Sequence, residues 1–415
     1  MAVKIVRQPK KIALIGAPTS AAALSAGHER APSALRAAGL VTRLSEAGFQ
    51  VTDLGDTITK TFQADDEHPR ARNVGPLVAV LNDLRPRVEQ AVKSGALPVI
   101  IGGDCSIALA TVAGARRYYR HVDLVYVDRD ADLNVPATTP SGCVDGMVIS
   151  HMAGRGAPEL VRFWGEPPLV RESDMVLFGI TRLDAPEEAA LKRSPIRHFS
   201  AEEIRRRGAA DSARAAIRQL HSGQFEFVLH VDVDAISSSE FPAATFAAEG
   251  GLALAEVREA LKVFAAEKSF AVLEITTYNP AMDADGSGAA KLIDLICEIL
   301  QVRATAMEAS AAAAASAAAS ATATPAAEAP TEKPSDAQGP IESPASVDTN
   351  VEAVTADSSS DRAADLSAGI ELPPADSSQA AAASVESTAT SSERESIEDP
   401  GPEESSAEEN PVRDS

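Results

Sequence analysis

Aromatic residues are scarce in this chain. There are sixteen in 415 residues, and none lies beyond residue 303. Cysteine is scarcer still. Cys105, Cys143 and Cys297 are too few and too scattered for a disulfide framework. No apolar run approaches the ~20 residues needed to cross a bilayer. The opening "MAVKIVRQPKKIALIGAP" lacks a signal-peptide core, because its apolar run stops at once in a Gly-Ala-Pro turn. These absences exclude a disulfide-stapled secreted fold and a membrane partner, and they make the cytoplasm the expected location.

The composition changes abruptly after residue 303. The last 112 residues are almost entirely Ala, Ser, Thr, Pro, Glu and Asp, with no aromatic residue, cysteine or histidine. Ordering backbone costs roughly 1–2 kcal/mol per residue, and such a segment buries too little apolar surface to offset that. The expected organisation is a folded domain over residues 1–303 and a disordered acidic tail over 304–415. The tail carries 22 acidic and 4 basic side chains, a net −18, which leaves −4 of the chain's −22 to the domain. The acidity belongs to the tail and argues against a nucleic-acid partner.

Within the domain, short apolar runs alternate with longer amphipathic stretches. Strands are predicted at Lys11–Ile15, Gln50–Leu54, Leu97–Ile101, Leu124–Val127, Met175–Phe178, Phe227–Val233 and Phe270–Ile275. Helices are predicted over Ala31–Ala47, Leu77–Ser94, Ala201–Leu220, Leu254–Ala265 and Lys291–Leu300. Strands separated by helix-length segments imply an α/β fold. Its parallel sheet would be flanked by helices on both faces, with ligands at the carboxyl ends of the strands.

Those strand ends carry unusual chemistry. In "DLVYVDRDADLN", a buried run meets Asp128, Asp130 and Asp132. In "FVLHVDVDAI", another meets Asp232 and Asp234. Alternate residues of an extended backbone share a face, so each set is expected to point one way. A lone Asp at a strand end is usually a loop residue or a helix cap. Five at two strand ends point instead to a metal centre. Hard oxygen donors suit Mn²⁺ or Mg²⁺, and two divalent ions would roughly neutralise the cluster. A third run ends in "GGDCS", where Cys105 is either a thiolate ligand or a buried structural cysteine. His151 and His230 read as hydrogen-bonded structural histidines, with His230 the better ligand candidate because it shares a face with Asp232. "DADGSG" at 283–288 reads as a turn.

Taken in order, "IALIGAPTS", "RAPSALRAAGL", "GGDCS", "DRDAD", "PSGCVDGM", "DVD", "EGGLALAEV" and "YNPAMD" resemble the motifs of the arginase/agmatinase/formimidoylglutamase (ureohydrolase) family across residues 11–300. The resemblance implies an arginase-like three-layer fold. It also implies two Mn²⁺ ions that activate water for attack on a guanidinium or amidine carbon. The implied ligand positions are Cys105, Asp128, Asp130, Asp132, Asp232 and Asp234. Cys105 and Asp130 stand where the family has histidines. The family's proton-shuttling histidine falls on Asp145, and its guanidinium-clamping glutamate falls on Thr277. Asn134, Ser141, Asp184 and Glu187 match substrate-binding positions.

The implied activity is metal-dependent hydrolysis of a C–N bond in a linear amidine or related small molecule, with Asp145 as the proton shuttle. The alternative is a catalytically inactive member of the fold with a binding or regulatory role. By resemblance the assembly is a homotrimer or hexamer.

Overall fold

The computed structural model describes residues 5–220 and 225–322. Eight strands form one sheet: β1 (Lys11–Ala17), β2 (Gln50–Asp56), β3 (Leu97–Gly102), β4 (Val122–Val127), β5 (Met175–Ile180), β6 (Arg197–Ser200), β7 (Glu226–Asp232) and β8 (Phe270–Thr276). Their order is β2-β1-β3-β8-β7-β4-β5-β6, and every pairing is parallel. Alternate residues of the central strands feed two separate cores. Leu14, Val99, Val125 and Leu229 enter one, while Ile15, Ile100, Leu124 and Val228 enter the other. Burial on both faces makes these strands read as unbroken apolar runs, which is why they were visible in the sequence.

All seven predicted strands are present. The eighth, β6, is a short edge strand with the sequence "RHFS", largely exposed and without an apolar run to reveal it. Two predicted helices are interrupted by glycine. Gly39 (φ 93°) separates Ala31–Ala37 from Leu40–Glu46, and Gly208 (φ 93°) separates Ala201–Arg207 from Ala209–Ile217. Positive φ is free of penalty for glycine and ends a helix there. The helix Ala108–Arg116 escaped prediction because residues 108–115 are all buried, which removes the polar face that marks an amphipathic helix.

The largest difference concerns the boundary at residue 303. The C-terminal helix runs Ser287–Thr322, straight through the composition break. Its start is fixed by Asp283, whose carboxylate accepts from the backbone N–H of Gly288 (2.8 Å) and Ala289 (2.8 Å) and from the Tyr278 hydroxyl (2.6 Å). The expected turn is present, with the Gly286 N–H on the Asp283 carbonyl (3.1 Å), and it leads directly into this cap. Beyond residue 310, where burial is described, the helix is exposed. Alanine's high intrinsic propensity explains how "ASAAAAASAAASAT" continues a helix without a core to pack on. The remainder of the acidic tail, from residue 323, lies outside the described residues. No helix among the described residues is long and apolar enough to cross a membrane.

Four strands, β3, β8, β7 and β4, sit side by side at the middle of the sheet. Their carboxyl ends bring Cys105, Thr276 and Thr277, Asp232 and Asp234, and Asp128 to one edge. His151 lies beneath that edge on the short helix Val148–Met152, fully buried. Its Nε2 accepts from the Ala157 N–H (3.0 Å), so Nδ1 carries the proton and donates to the Met147 carbonyl (2.8 Å). Burial pushes its pKa down to about 4. An unfolded imidazole titrates near 6.5, so the neutral ring's stabilisation is complete above that pH. It is lost as pH falls towards 4, by about 3 kcal/mol over the interval. Urea titrations of His151→Gln are expected to show a shallower loss of stability between pH 6.5 and 4 than wild type. Parallel acid limbs for the two proteins would refute this account.

Candidate metal centre

The carboxylates do not converge by the strand alternation read from the sequence. Strand β4 ends at Val127, and residues 128–132 form a loop. Asp128 Oδ1 accepts from the Asp130 N–H (2.7 Å), and Asp132 adopts φ 50°. A loop and not an extended strand therefore brings all three side chains to one cavity. Strand β7 ends at Asp232, which caps a 3₁₀ turn, Val233–Ala235, by accepting the Asp234 N–H on Oδ1 (2.7 Å). Turn geometry, not extended backbone, brings Asp234 back beside Asp232.

Among the described residues, Asp128, Asp232 and Asp234 each offer an oxygen within 4.8 Å of the other two, all buried. Cys105, Asp128 and His230 form a second group at this spacing, while Asp130 and Asp132 join neither. Asp130 is held by the Arg182 guanidinium through two parallel bonds (Nε–Oδ1 2.8 Å, Nη2–Oδ2 2.6 Å), with Arg129 Nε 3.8 Å away. Asp132 accepts the Tyr126 hydroxyl. Cys105 donates its thiol proton to Asp232 Oδ2 (2.9 Å) and lies 3.1 Å from the Thr276 hydroxyl. Burial, reinforced by the charges of Asp232 and Asp145, pushes the Cys105 pKa well above that of a free thiol.

Thr277, which the sequence resemblance sets where a clamping glutamate is expected, donates its hydroxyl to Asp232 Oδ1. It does so from a left-handed conformation (φ 62°), held by its N–H on the Gly103 carbonyl (2.9 Å). Such a conformation is unusual for a β-branched residue and costs of order 1–3 kcal/mol. Glu274 points away from the cavity, as its odd offset on the strand requires. It meets His230 Nδ1 (2.7 Å) and the Thr111 hydroxyl. His230 Nε2 lies 3.3 Å from the Thr276 hydroxyl, and Tyr126 stacks on the imidazole at 4.1 Å. Both ring nitrogens are engaged, so His230 is a hydrogen-bonded structural residue.

A cavity of about 420 Å³ opens over this edge. Of the residues named from the sequence, it is lined by Asp128, Asp130, Asp132, Asn134, Ser141, Asp145, Asp184, Glu187, Asp232 and Asp234; Cys105 lies behind its wall. Asp145 Oδ1 accepts from the Cys105 N–H (2.6 Å), and burial followed by Asp104, Asp132 and Asp232 pushes its carboxyl well above the usual range. The expected substrate positions are largely occupied within the chain. Asp184 and Glu187 form a reciprocal capping box on the helix Ala185–Arg193, Asn134 donates to Asp184 (2.8 Å), and Glu187 accepts the Leu133 N–H (3.1 Å). Ser141 Oγ accepts the Cys143 N–H (3.2 Å). Sequence reasoning missed Arg182 and Tyr126. Arg182 is the second residue after the buried run "MVLFGI", just beyond its strand as Asp130 is beyond β4.

The residues present fit a divalent cation. Asp234 is buried, yet its Oδ1 has no hydrogen-bond partner. Leaving a buried polar atom unsatisfied costs roughly 1–3 kcal/mol, and an ion shared with Asp128 and Asp232 removes that penalty. The three oxygens are hard donors of the kind Mn²⁺ and Mg²⁺ take.

A sheet of eight parallel strands with a carboxylate centre and an open cavity at its carboxyl edge defines the class: an α/β protein built around an acidic metal-type site. The chain belongs to the arginase family, whose model matches residues 10–301. It is 29% identical over 289 residues to the arginase of Bacillus caldovelox, an alignment covering 69% of this chain and 97% of that protein. The crystal structure of arginase from Bacillus cereus superposes with a TM-score of 0.65 at 29% identity, over 70% of this chain and 98% of that one. The formimidoylglutamase of Bacillus subtilis shares the fold at 20% identity, with a TM-score of 0.58 over 72% of this chain and 88% of that one.

Burial, then Asp232, raises the pKa of Asp234; burial raises that of Asp128 as well, with Asp232 again the strongest neighbour. Folded carboxyls that titrate above their unfolded values lower stability as pH rises from about 4 through neutrality, unless a cation compensates. In chelator at pH 7.5, Asp234→Asn is therefore expected to melt above wild type by several degrees, at ~2–4 °C per kcal/mol. With saturating Mn²⁺ the order should reverse, because only wild type gains the ion's stabilisation. Equal responses to Mn²⁺ in the two proteins would exclude Asp234 from a cation site.

Proposed function

We propose that this arginase-family protein is a metal-dependent hydrolase of a C–N bond in a small, linear, cationic amidine or related compound. The observation that carries the reading is the buried group of Asp128, Asp232 and Asp234, with one carboxylate oxygen unpartnered, facing an acid-lined cavity of small-molecule size. Asp128, Asp232 and Asp234 would hold the cation, for which Mn²⁺ is the family's typical ion. Bound there, a divalent cation supplies Lewis acidity and lowers the pKa of water.

The remaining work falls to the chain's own groups. The carboxylates on the cavity wall attract a cationic substrate and exclude anionic ones. Asp145 is the proton carrier. Its Oδ1 is anchored by the Cys105 N–H, so Oδ2 holds the proton that the departing amine takes up. The raised pKa keeps that proton available near neutrality. Thr277 cannot pair with a guanidinium as a carboxylate does, so the substrate differs from arginine at that end. We place the protein in the cytoplasm and, by family likeness, in a homo-oligomer.

A second reading has its own observation. The protons of Tyr126, Cys105 and Thr277 already satisfy Asp132 and Asp232, an arrangement suited to a catalytically inactive binding protein. The two separate on a panel of guanidino and amidino compounds, assayed for urea or ammonia release with added Mn²⁺. The hydrolase reading expects release from at least one compound. It further expects Asp145→Asn to lower kcat by about 100-fold or more while leaving Mn²⁺ affinity nearly unchanged. Silence across the panel with the ion bound would favour the inactive reading.

A further inference from the structure

The family resemblance implies two cations and six ligand positions, but the geometry of this chain divides those positions unequally. Asp128, Asp232 and Asp234 sit together with an oxygen of Asp234 unsatisfied. Asp130 belongs to the same loop as Asp128 and lines the same cavity. Its two oxygens are nevertheless both taken by the planar fork of Arg182, with Arg129 close on the other side. Asp232 is engaged as well, but by the neutral donors of Thr277, Cys105 and the Asp234 N–H, whereas both oxygens of Asp130 are held by a bidentate guanidinium, whose positive charge a cation must displace.

The other half of the implied cluster has no vacancy either. Cys105 spends its proton on Asp232, and His230 has one nitrogen on Glu274 and the other beside Thr276. Neither Cys105 nor His230 lines the cavity. Asp132 stands apart, under the Tyr126 hydroxyl.

Resting on the metal-dependent reading above, we infer that the site holds a single divalent cation on Asp128, Asp232 and Asp234, and that Arg182 withholds Asp130 from it. Arg182 supplies in fixed form part of the positive charge that a fuller metal site would supply by ions. Its side chain is 68% exposed and, among the described residues, hydrogen-bonds to Asp130 alone, so a cation would compete with it for that carboxylate. The affinity of the site is thereby set below what four carboxylates would give, because cation affinity rises with the number of charged ligands.

The test is Mn²⁺ binding by calorimetry, with elemental analysis of the full-length protein, and it needs no substrate. Wild type is expected to bind one Mn²⁺ per chain. Arg182→Ala frees Asp130 and should still bind one, about tenfold or more tightly. The double variant Arg182→Ala/Asp130→Asn removes the ion pair without changing net charge, and it should return to within about threefold of wild type.

Two ions per wild-type chain would overturn the inference. So would an Arg182→Ala variant no tighter than wild type, or a double variant that keeps the gain, since that gain would not come from a freed Asp130 carboxylate. A double variant about tenfold or more weaker than wild type would show that Asp130 is already a ligand, and would also overturn it. No bound ion in wild type would bring down the metal-dependent reading itself, whereas the other failures leave that reading standing. Circular dichroism and thermal melts in chelator confirm that each variant is folded before its affinity is compared.

Discussion

The repulsion between carboxylates gathered at one edge of a buried sheet governs the rest of this molecule. Two such groups ~4 Å apart repel by roughly 4 kcal/mol at an effective dielectric of ~20. The chain answers with three kinds of positive partner. Hydroxyl, thiol and backbone N–H protons meet Asp132, Asp232 and Asp145; guanidinium groups meet Asp130; and Asp128, Asp232 and Asp234 lie close enough together to share a cation. The first two are built into the fold. On the proposed function the third comes from solution, which would couple the stability of the domain to its ligand.

Behind the carboxylates lies a layer that holds them in place. Tyr126, His230 and Glu274 occupy neighbouring positions on β4, β7 and β8, in register across three parallel strands. Ring stacking and a hydrogen bond join them in a row one step below Asp232 and Thr276, and Thr111 closes the far end. Fully buried polar groups satisfied in this way are worth more for the uniqueness of the arrangement than for net stability. The row ties together the three strands whose ends carry the site.

Much of this was legible in the sequence, and the failures have physical causes. Central strands announced themselves because burial on both faces makes them apolar throughout, while β6 lacked that signal. The aspartates were legible as a site because charge at the end of a buried strand needs a reason. Their directions were not, because Asp130 and Asp132 lie beyond the last residue of β4, where the two-residue period no longer applies. Arg182 was invisible for a related reason. Its partner is 52 residues away, and only the order of strands in the sheet sets β5 beside β4. The boundary at residue 303 was drawn on composition, which reports whether a segment can build a core. It does not report whether alanine-rich chain will prolong a helix that a core has already nucleated.

The lining of the cavity has a consequence for traffic into it. Eight acidic side chains and a single basic one face a volume of about 420 Å³. Low-dielectric walls concentrate the field of such a lining, and its reach into solvent is about one Debye length, ~8 Å at physiological ionic strength. On the proposed function, the acids that stay ionised would favour amines and divalent ions over phosphorylated metabolites before any shape is read. The mouth would then work as a charge filter ahead of the chemistry, with discrimination beginning in the water outside it.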